Sequence, residues 1–121
     1  MEMGAASSDG AAQDSLHAAT ELLRALASPV RLGIVRELAN GGREVHQLVT
    51  ALGVSQPLVS QHLRVLRTSR LVVAHRRARS VEYSLADEHV AHIVLDALRH
   101  VQEAPVAVSG ITQRDTAGEG Q

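Results

Sequence analysis

Two short apolar-periodic segments joined through Gly53-Val54-Ser55 constrain this chain more than any other feature. Val45 to Leu52 has helical spacing and stops at a glycine. Ser55 then offers a hydroxyl cap to a further helix, with Pro57 in its first turn, where a missing N–H is tolerated. Helix, glycine turn, helix at this separation is the helix-turn-helix pattern. Leu58, Val59, Leu63 and Leu66 make one apolar stripe of the second helix, so Gln56, Pro57, Ser60, Gln61, Arg64 and Arg67 face outward. Amides and hydroxyls in the first turns with arginines further on suit a recognition helix, whose start reads base edges while flanking arginines hold phosphate. Ser55 and His62 join these as candidate DNA contacts, His62 toward the backbone. The bland alternative is a helical packing unit.

Charge distribution favours DNA. The net charge is −1 over 121 residues, yet Val45 to Val81 contains no acid, and Arg64, Arg67, Arg70, Arg76, Arg77 and Arg79 fall in its second half. A local positive field attracts phosphate even when the whole chain is near neutral. Leu71 to His75 and Ser80 to Leu85 read as two strands around Arg76-Arg77-Ala78-Arg79, a basic hairpin directly after the recognition helix. This predicts a mainly α, winged helix-turn-helix fold in which Arg76, Arg77 and Arg79 clamp phosphates from the wing. A single aromatic residue, Tyr83, argues against base stacking.

The rest of the chain supplies support and a partner surface. Ser15 to Leu26 places Leu16, Ala19, Leu22, Leu23 and Leu26 at helical spacing, with Asp14 as a candidate cap. A second helix starts near Ser28-Pro29, carries Leu32, Ile34, Val35 and Leu38, and stops at Asn40-Gly41-Gly42. Residues 1–13 and 105–121 lack apolar periodicity and are expected to be disordered tails, leaving a domain of residues 14–104. About 90 ordered residues make a small core, which homodimerisation through the N- and C-terminal helices would enlarge. The N-terminus has no basic stretch followed by an apolar run and no segment is long and apolar enough to span a membrane, so a cytoplasmic protein with no membrane partner is expected.

The last helix, Asp87 to about Glu103, carries Val90, Ile93, Val94, Ala97, Leu98 and Val101 together with four metal-ligand types: Asp87, His89, His100 and Glu103. His89 and His100 share a stripe but lie roughly 16 Å apart along the axis, so no single ion touches both. An antiparallel copy of the same helix across a two-fold axis would bring Asp87 and His89 of one chain to His100 and Glu103 of the other, giving two four-ligand sites per homodimer. Each residue has an ordinary reading as well: Asp87 as a helix cap, Glu103 as a solvated acid, His100 as its i,i+3 neighbour. His92 and Asp96 lie near the same stripe as candidate supporting groups. With no cysteine, thiolate sites and thiol nucleophiles are excluded; two imidazoles and two carboxylates suit zinc, with cobalt or nickel as near alternatives.

In element order and in residues the chain resembles the ArsR/SmtB family of metal-sensing bacterial repressors, from about Leu22 to Glu103. The resemblance is carried by Leu26-Ala27-Ser28-Pro29-Val30-Arg31-Leu32, by Ser55-Gln56-Pro57-Leu58-Val59-Ser60-Gln61-His62-Leu63 with Leu66, by Val81-Glu82-Tyr83-Ser84-Leu85, and by the final Asp-x-His, ten residues, His-x-x-Glu. The last pattern looks like the C-terminal-helix zinc site of the SmtB branch. It implies Asp87 and His89 from one protomer with His100 and Glu103 from the other. The family's Cys-containing site on the third helix has no counterpart, since that stretch reads Glu44-Val45-His46-Gln47. Arg70 and Ala78 stand where many members carry glycine, which bears on the turn geometry of the wing.

The resemblance implies a repressor whose apo dimer binds operator DNA and is released by zinc, with no small-molecule substrate. A metal-dependent hydrolase is disfavoured, because four protein ligands fill a tetrahedral shell and no paired nucleophile and base lies nearby. A winged-helix repressor with a merely structural metal is the more serious rival. A dimerisation module leaves the basic wing without a role.

Overall fold

A computed structural model of the chain describes residues 2–103, with the backbone alone for residues 2–9. Helix α1 (Glu2–Leu26) is followed by α2 (Pro29–Leu38), α3 (Val45–Leu52), α4 (Gln56–Thr68), strands β1 (Val72–Arg77) and β2 (Ser80–Leu85), and α5 (Glu88–Glu103). The chain groups into two units, residues 1–91 and 92–121, and the helix-turn-helix with its wing lies wholly in the first. Among the described residues no helix is long and apolar enough to cross a membrane.

The local signals act as expected in the middle of the chain. Ser28 caps α2, its Oγ accepting from the N–H of Arg31 at 3.2 Å, and Pro29 occupies the first turn. Gly53 ends α3 in the left-handed region at φ 69°, where a side chain would be strained. Ser55 caps α4 by accepting from the N–H of Leu58. Ile34, Val35 and Leu38 of α2, Leu48 of α3, and Val59, Leu63 and Leu66 of α4 are buried; Ala25, Leu26, Leu71, Val72 and Val90 extend this core. Those apolar stripes meet because each short helix has one apolar face to bury.

Two boundaries differ from the sequence expectation. Helical backbone begins at Glu2, so Asp14 lies inside α1 and not at its cap. The Ala-rich opening has helix propensity without an apolar stripe, and periodicity is blind to propensity. The strand β1 runs through Arg76 and Arg77, which shortens the wing loop to Ala78-Arg79 between the Arg77↔Ser80 pair. The tail expected over residues 105–121 lies outside the described residues.

The hairpin is tied down at its base. Arg43, in the α2–α3 linker, exchanges two backbone hydrogen bonds with Tyr83, adding a one-residue bridge to the free edge of β2. Gly42 packs so closely that a Cβ there would stand 2.6 Å from Cδ of Glu82.

Among the described residues two non-glycine residues occupy the left-handed region, Arg70 at φ 61° between α4 and β1, and Ala78 at φ 51° in the wing loop. Such positions cost on the order of 1 kcal/mol or more for a side chain. Arg70→Gly is therefore expected to raise the midpoint of thermal unfolding, by the equivalent of up to about 1 kcal/mol after the extra chain entropy of glycine is offset. An unchanged or lower midpoint would show that the Arg70 side chain contributes as much as its backbone costs.

Candidate nucleic-acid interface and metal centre

The exposed face of α4 is built by the residues that its apolar stripe excludes. Gln56, Pro57, Gln61, Arg64 and Arg67 are exposed, while Ser60 is half-buried. Gln56 Nε2 donates to Ser60 Oγ at 3.3 Å one turn on, which orients both polar groups along the helix. Ser55 is exposed but has its hydroxyl oxygen committed to the cap. Between α4 and the wing lies a concavity lined by Ser60, Leu63, Arg64, Arg67, Thr68 and Tyr83. Its mouth presents two guanidiniums, two hydroxyls and a phenol, a donor set that matches phosphate oxygens. Thr68 and Tyr83 are not among the DNA contacts expected from the sequence. Thr68 follows Arg67 on α4 itself, whereas Tyr83 of β2 reaches the same cleft only through the tertiary fold, although its uniqueness in the sequence is a visible clue.

The three wing arginines differ in state. Arg76, Arg77 and Arg79 are all exposed, but Arg77 lies 3.4 Å from Oε1 of Glu82, two positions along β2 from its register partner Ser80. That diagonal pair is solvent-screened and weak. Among the described residues no ion pair involves Arg64, Arg67, Arg76 or Arg79.

His62, expected from the sequence to touch the DNA backbone, has its ring turned instead to Arg31 of α2. It is half-buried, and its Nδ1 lies 3.0 Å from a terminal guanidinium nitrogen of Arg31. Burial, and secondarily the Arg31 charge, hold its pKa below the ordinary histidine value.

On α5, Asp87 is the cap: its Oδ1 accepts from the N–H of His89 at 2.9 Å and of Val90 at 3.3 Å. The ring of His89 stands 3.5 Å from the same oxygen. His89, His100 and Glu103 are exposed, as are His92 and Asp96, and Asp96 pairs with Arg99 one turn on. Among the described residues no three His, Asp or Glu side chains converge on a common point. The structure thus brings Asp87 and His89 together and leaves His100 and Glu103 further along the helix.

A helix-turn-helix followed by a basic, two-stranded wing defines a winged helix-turn-helix DNA-binding protein. Residues 28–73 match the model of the bacterial regulatory proteins of the arsR family. The chain is 56% identical over 91 residues to the HTH-type transcriptional repressor SmtB of Mycobacterium tuberculosis, spanning 75% of this chain and 67% of that protein. It is 45% identical over 87 residues to the HTH-type transcriptional regulator NmtR of the same species, spanning 72% of each. A homodimeric winged helix-turn-helix DNA-binding domain from Mycobacterium bovis, of a possible ArsR-family transcriptional regulator, superposes with a TM-score of 0.67 at 30% identity, covering 78% of this chain and 86% of that one. The chain belongs to the ArsR/SmtB family, and is a transcriptional repressor of that metal-sensing family rather than an enzyme.

Proposed function

We propose that this repressor is released from its operator by zinc, and that residues 14–104 carry both DNA binding and metal sensing. The observation that carries the reading is the donor set of α5: two imidazoles and two carboxylates, all exposed, at spacings that one helix cannot close around an ion. A homodimer closes them. In it, Asp87 and His89 of one protomer and His100 and Glu103 of a second copy would hold each ion, a sulfur-free set suited to tetrahedral zinc. Exposed Leu16 and Leu23 on α1 and Ile93 and Val101 on α5 supply apolar surface for the dimer seam. The M. bovis domain, described as homodimeric, supports the same assembly. Such a repressor works where the operator is, in the cytoplasm.

Operator binding would use Gln56, Pro57, Ser60 and Gln61 at base edges, with Ser55 at the helix start. Arg64, Arg67, Arg76, Arg77 and Arg79 would hold phosphate. A two-fold dimer places its two recognition helices in successive major grooves about 34 Å apart. Zinc, when bound, supplies a fixed cross-link between the two last helices. Asp87, as both cap and ligand, connects that cross-link to the start of α5 directly after β2, so the dimer geometry that satisfies all four donors need not be the one that fits the groove spacing.

Fluorescence anisotropy with DNA from the protein's own upstream region tests this at fixed salt, first in chelator and then with stoichiometric zinc, cobalt or nickel. Tight binding that zinc weakens by roughly 5- to 150-fold is expected from couplings of ordinary size. Indifference to all three metals would reduce the α5 set to a structural role, and tighter binding would reverse the sign of the switch. Arg64→Ala is expected to weaken binding of any DNA sequence and to lower the slope of log affinity against log salt by about one phosphate contact.

A further inference from the structure

The recognition helix is pinned by a contact that the DNA face does not use. His62 lies about 160° around α4 from Arg64, at ~100° per residue, so its ring does not share the face of the phosphate-binding arginines. It faces α2 instead. There Arg31 is held at three points: its backbone N–H donates to Ser28 Oγ, its Nε donates to the carbonyl of Ala25 at the end of α1, and a terminal nitrogen meets Nδ1 of His62 at 3.0 Å.

We infer that Arg31 is a positioning residue for the recognition helix: anchored on Ala25 and Ser28, its guanidinium seats Nδ1 of His62 and so sets the rotation of α4, and with it the aim of Gln56, Gln61 and Arg64. This rests on the DNA-binding role proposed above. A guanidinium has five N–H donors and no acceptor, so the contact requires a lone pair on Nδ1 and puts the imidazole proton on Nε2. Protonation removes that lone pair and sets two cations 3.0 Å apart. The seat is therefore present only with neutral His62.

The direction of the acid response follows. Arg31 on α2 is the charged group acting on the ring; on the other elements packed against α4, Glu21 and Arg24 of α1 pair with each other, Glu44 beside α3 holds His46, and Arg77 of β1 holds Glu82. Burial first and Arg31 second lower the folded-state pKa, so the folded chain binds fewer protons at this site than the unfolded chain. The stabilisation is complete above the unfolded value, about 6.5, and is lost as pH falls through the lowered one.

Two measurements on the full chain, in chelator, decide the matter. Nitrogen-15 NMR of the imidazoles at neutral pH is expected to show His62 as the Nε2–H tautomer alone; an Nδ1–H ring or an averaged mixture overturns the inference. Operator affinity is then followed from about pH 7.5 to about 5.5, spanning the ordinary histidine range, for the parent chain, His62→Asn, His62→Ala and Arg64→Ala. Asparagine Oδ1 stands near the position of Nδ1 and accepts from Arg31 but gains no proton. His62→Asn should bind within about twofold of the parent at neutral pH and should lack the part of the acid loss that His62 causes, while His62→Ala should bind roughly tenfold more weakly, as for one lost hydrogen bond to a charged group. Identical pH profiles for the parent and His62→Asn, or parental affinity in His62→Ala, overturn the inference. Because Arg64→Ala acts through phosphate, a parent chain that binds no DNA, or binding unmoved by Arg64→Ala, would instead count against the operator reading, with the tautomer still deciding the Arg31–His62 contact.

Discussion

His100→Ala should bind operator DNA as the parent chain does in chelator and should fail to let go when zinc is added. The imidazole of His100 is exposed on α5 and takes part in no ion pair among the described residues, so its removal leaves the core and the recognition helix untouched. It takes away one of four donors that the proposed site needs, and with it the cross-link between the last helices. A zinc-induced weakening on the order of 5- to 150-fold should fall to nearly none. Asp87→Ala is a poorer probe, since Asp87 also accepts from the N–H groups of His89 and Val90 and its loss would cost about 1 kcal/mol of helix capping besides. Anisotropy titrations of both chains, with and without zinc, provide the check. Undiminished release of the His100→Ala variant would mean that the sensing ligands lie elsewhere.

Leu66→Ala is expected to be among the most damaging single changes to the fold, costing about 2–5 kcal/mol. Leu66 is 0% exposed and belongs to the same helix turn as Leu63 and close to Leu71, whose N–H donates to the Leu66 carbonyl at the exit from α4. Small domains hold only on the order of 5–15 kcal/mol in total, and a core built by three short helices sits low in that range. Truncation would thus remove much of the stability and loosen the helix that presents Arg64 and Arg67. Urea unfolding of the apo protein measures it, with parent and variant at one protein concentration because a dimer's stability depends on concentration. A midpoint within error of the parent would contradict the packing described. By contrast Leu23→Ala, at a position 55% exposed, should barely alter a single chain and should act only through the dimer seam.

Much of the fold was legible because its signals are local. Ser28 with Pro29, Gly53, and Ser55 with Pro57 each act within one helical turn, so side-chain chemistry at a single position suffices to start or stop an element. The stripe of Val59, Leu63 and Leu66 was legible for a related reason: burial of an apolar face at 3.6-residue spacing has one solution once the helix exists. Where neither kind of signal operates, the local sequence does not mark the boundary. The opening of α1 has propensity without a stripe, and Arg76 and Arg77 carry no strand signature because they extend β1 through backbone pairing with Val81 and Ser80. The left-handed Arg70 and Ala78 stand at the two positions where the family resemblance had led to an expectation of glycine.

The chemistry available to this protein is written in its residues: an arginine-only basic stretch free of acid, a sulfur-free donor set on the last helix, and the caps and stripes that make a winged helix-turn-helix. Tertiary structure alone decided which of those groups are already engaged. That Arg77 is paired with Glu82 while Arg76 and Arg79 are in no ion pair, that Tyr83 is bridged to Arg43 and closes a cleft with Arg64 and Arg67, and that His62 turns to Arg31 all depend on how elements rotate against one another. The physical reason is one of range. Caps and periodicity act over a few residues and are written in consecutive letters, whereas a contact across 31 residues, such as Arg31 with His62, exists only after packing has chosen an angle between two helices.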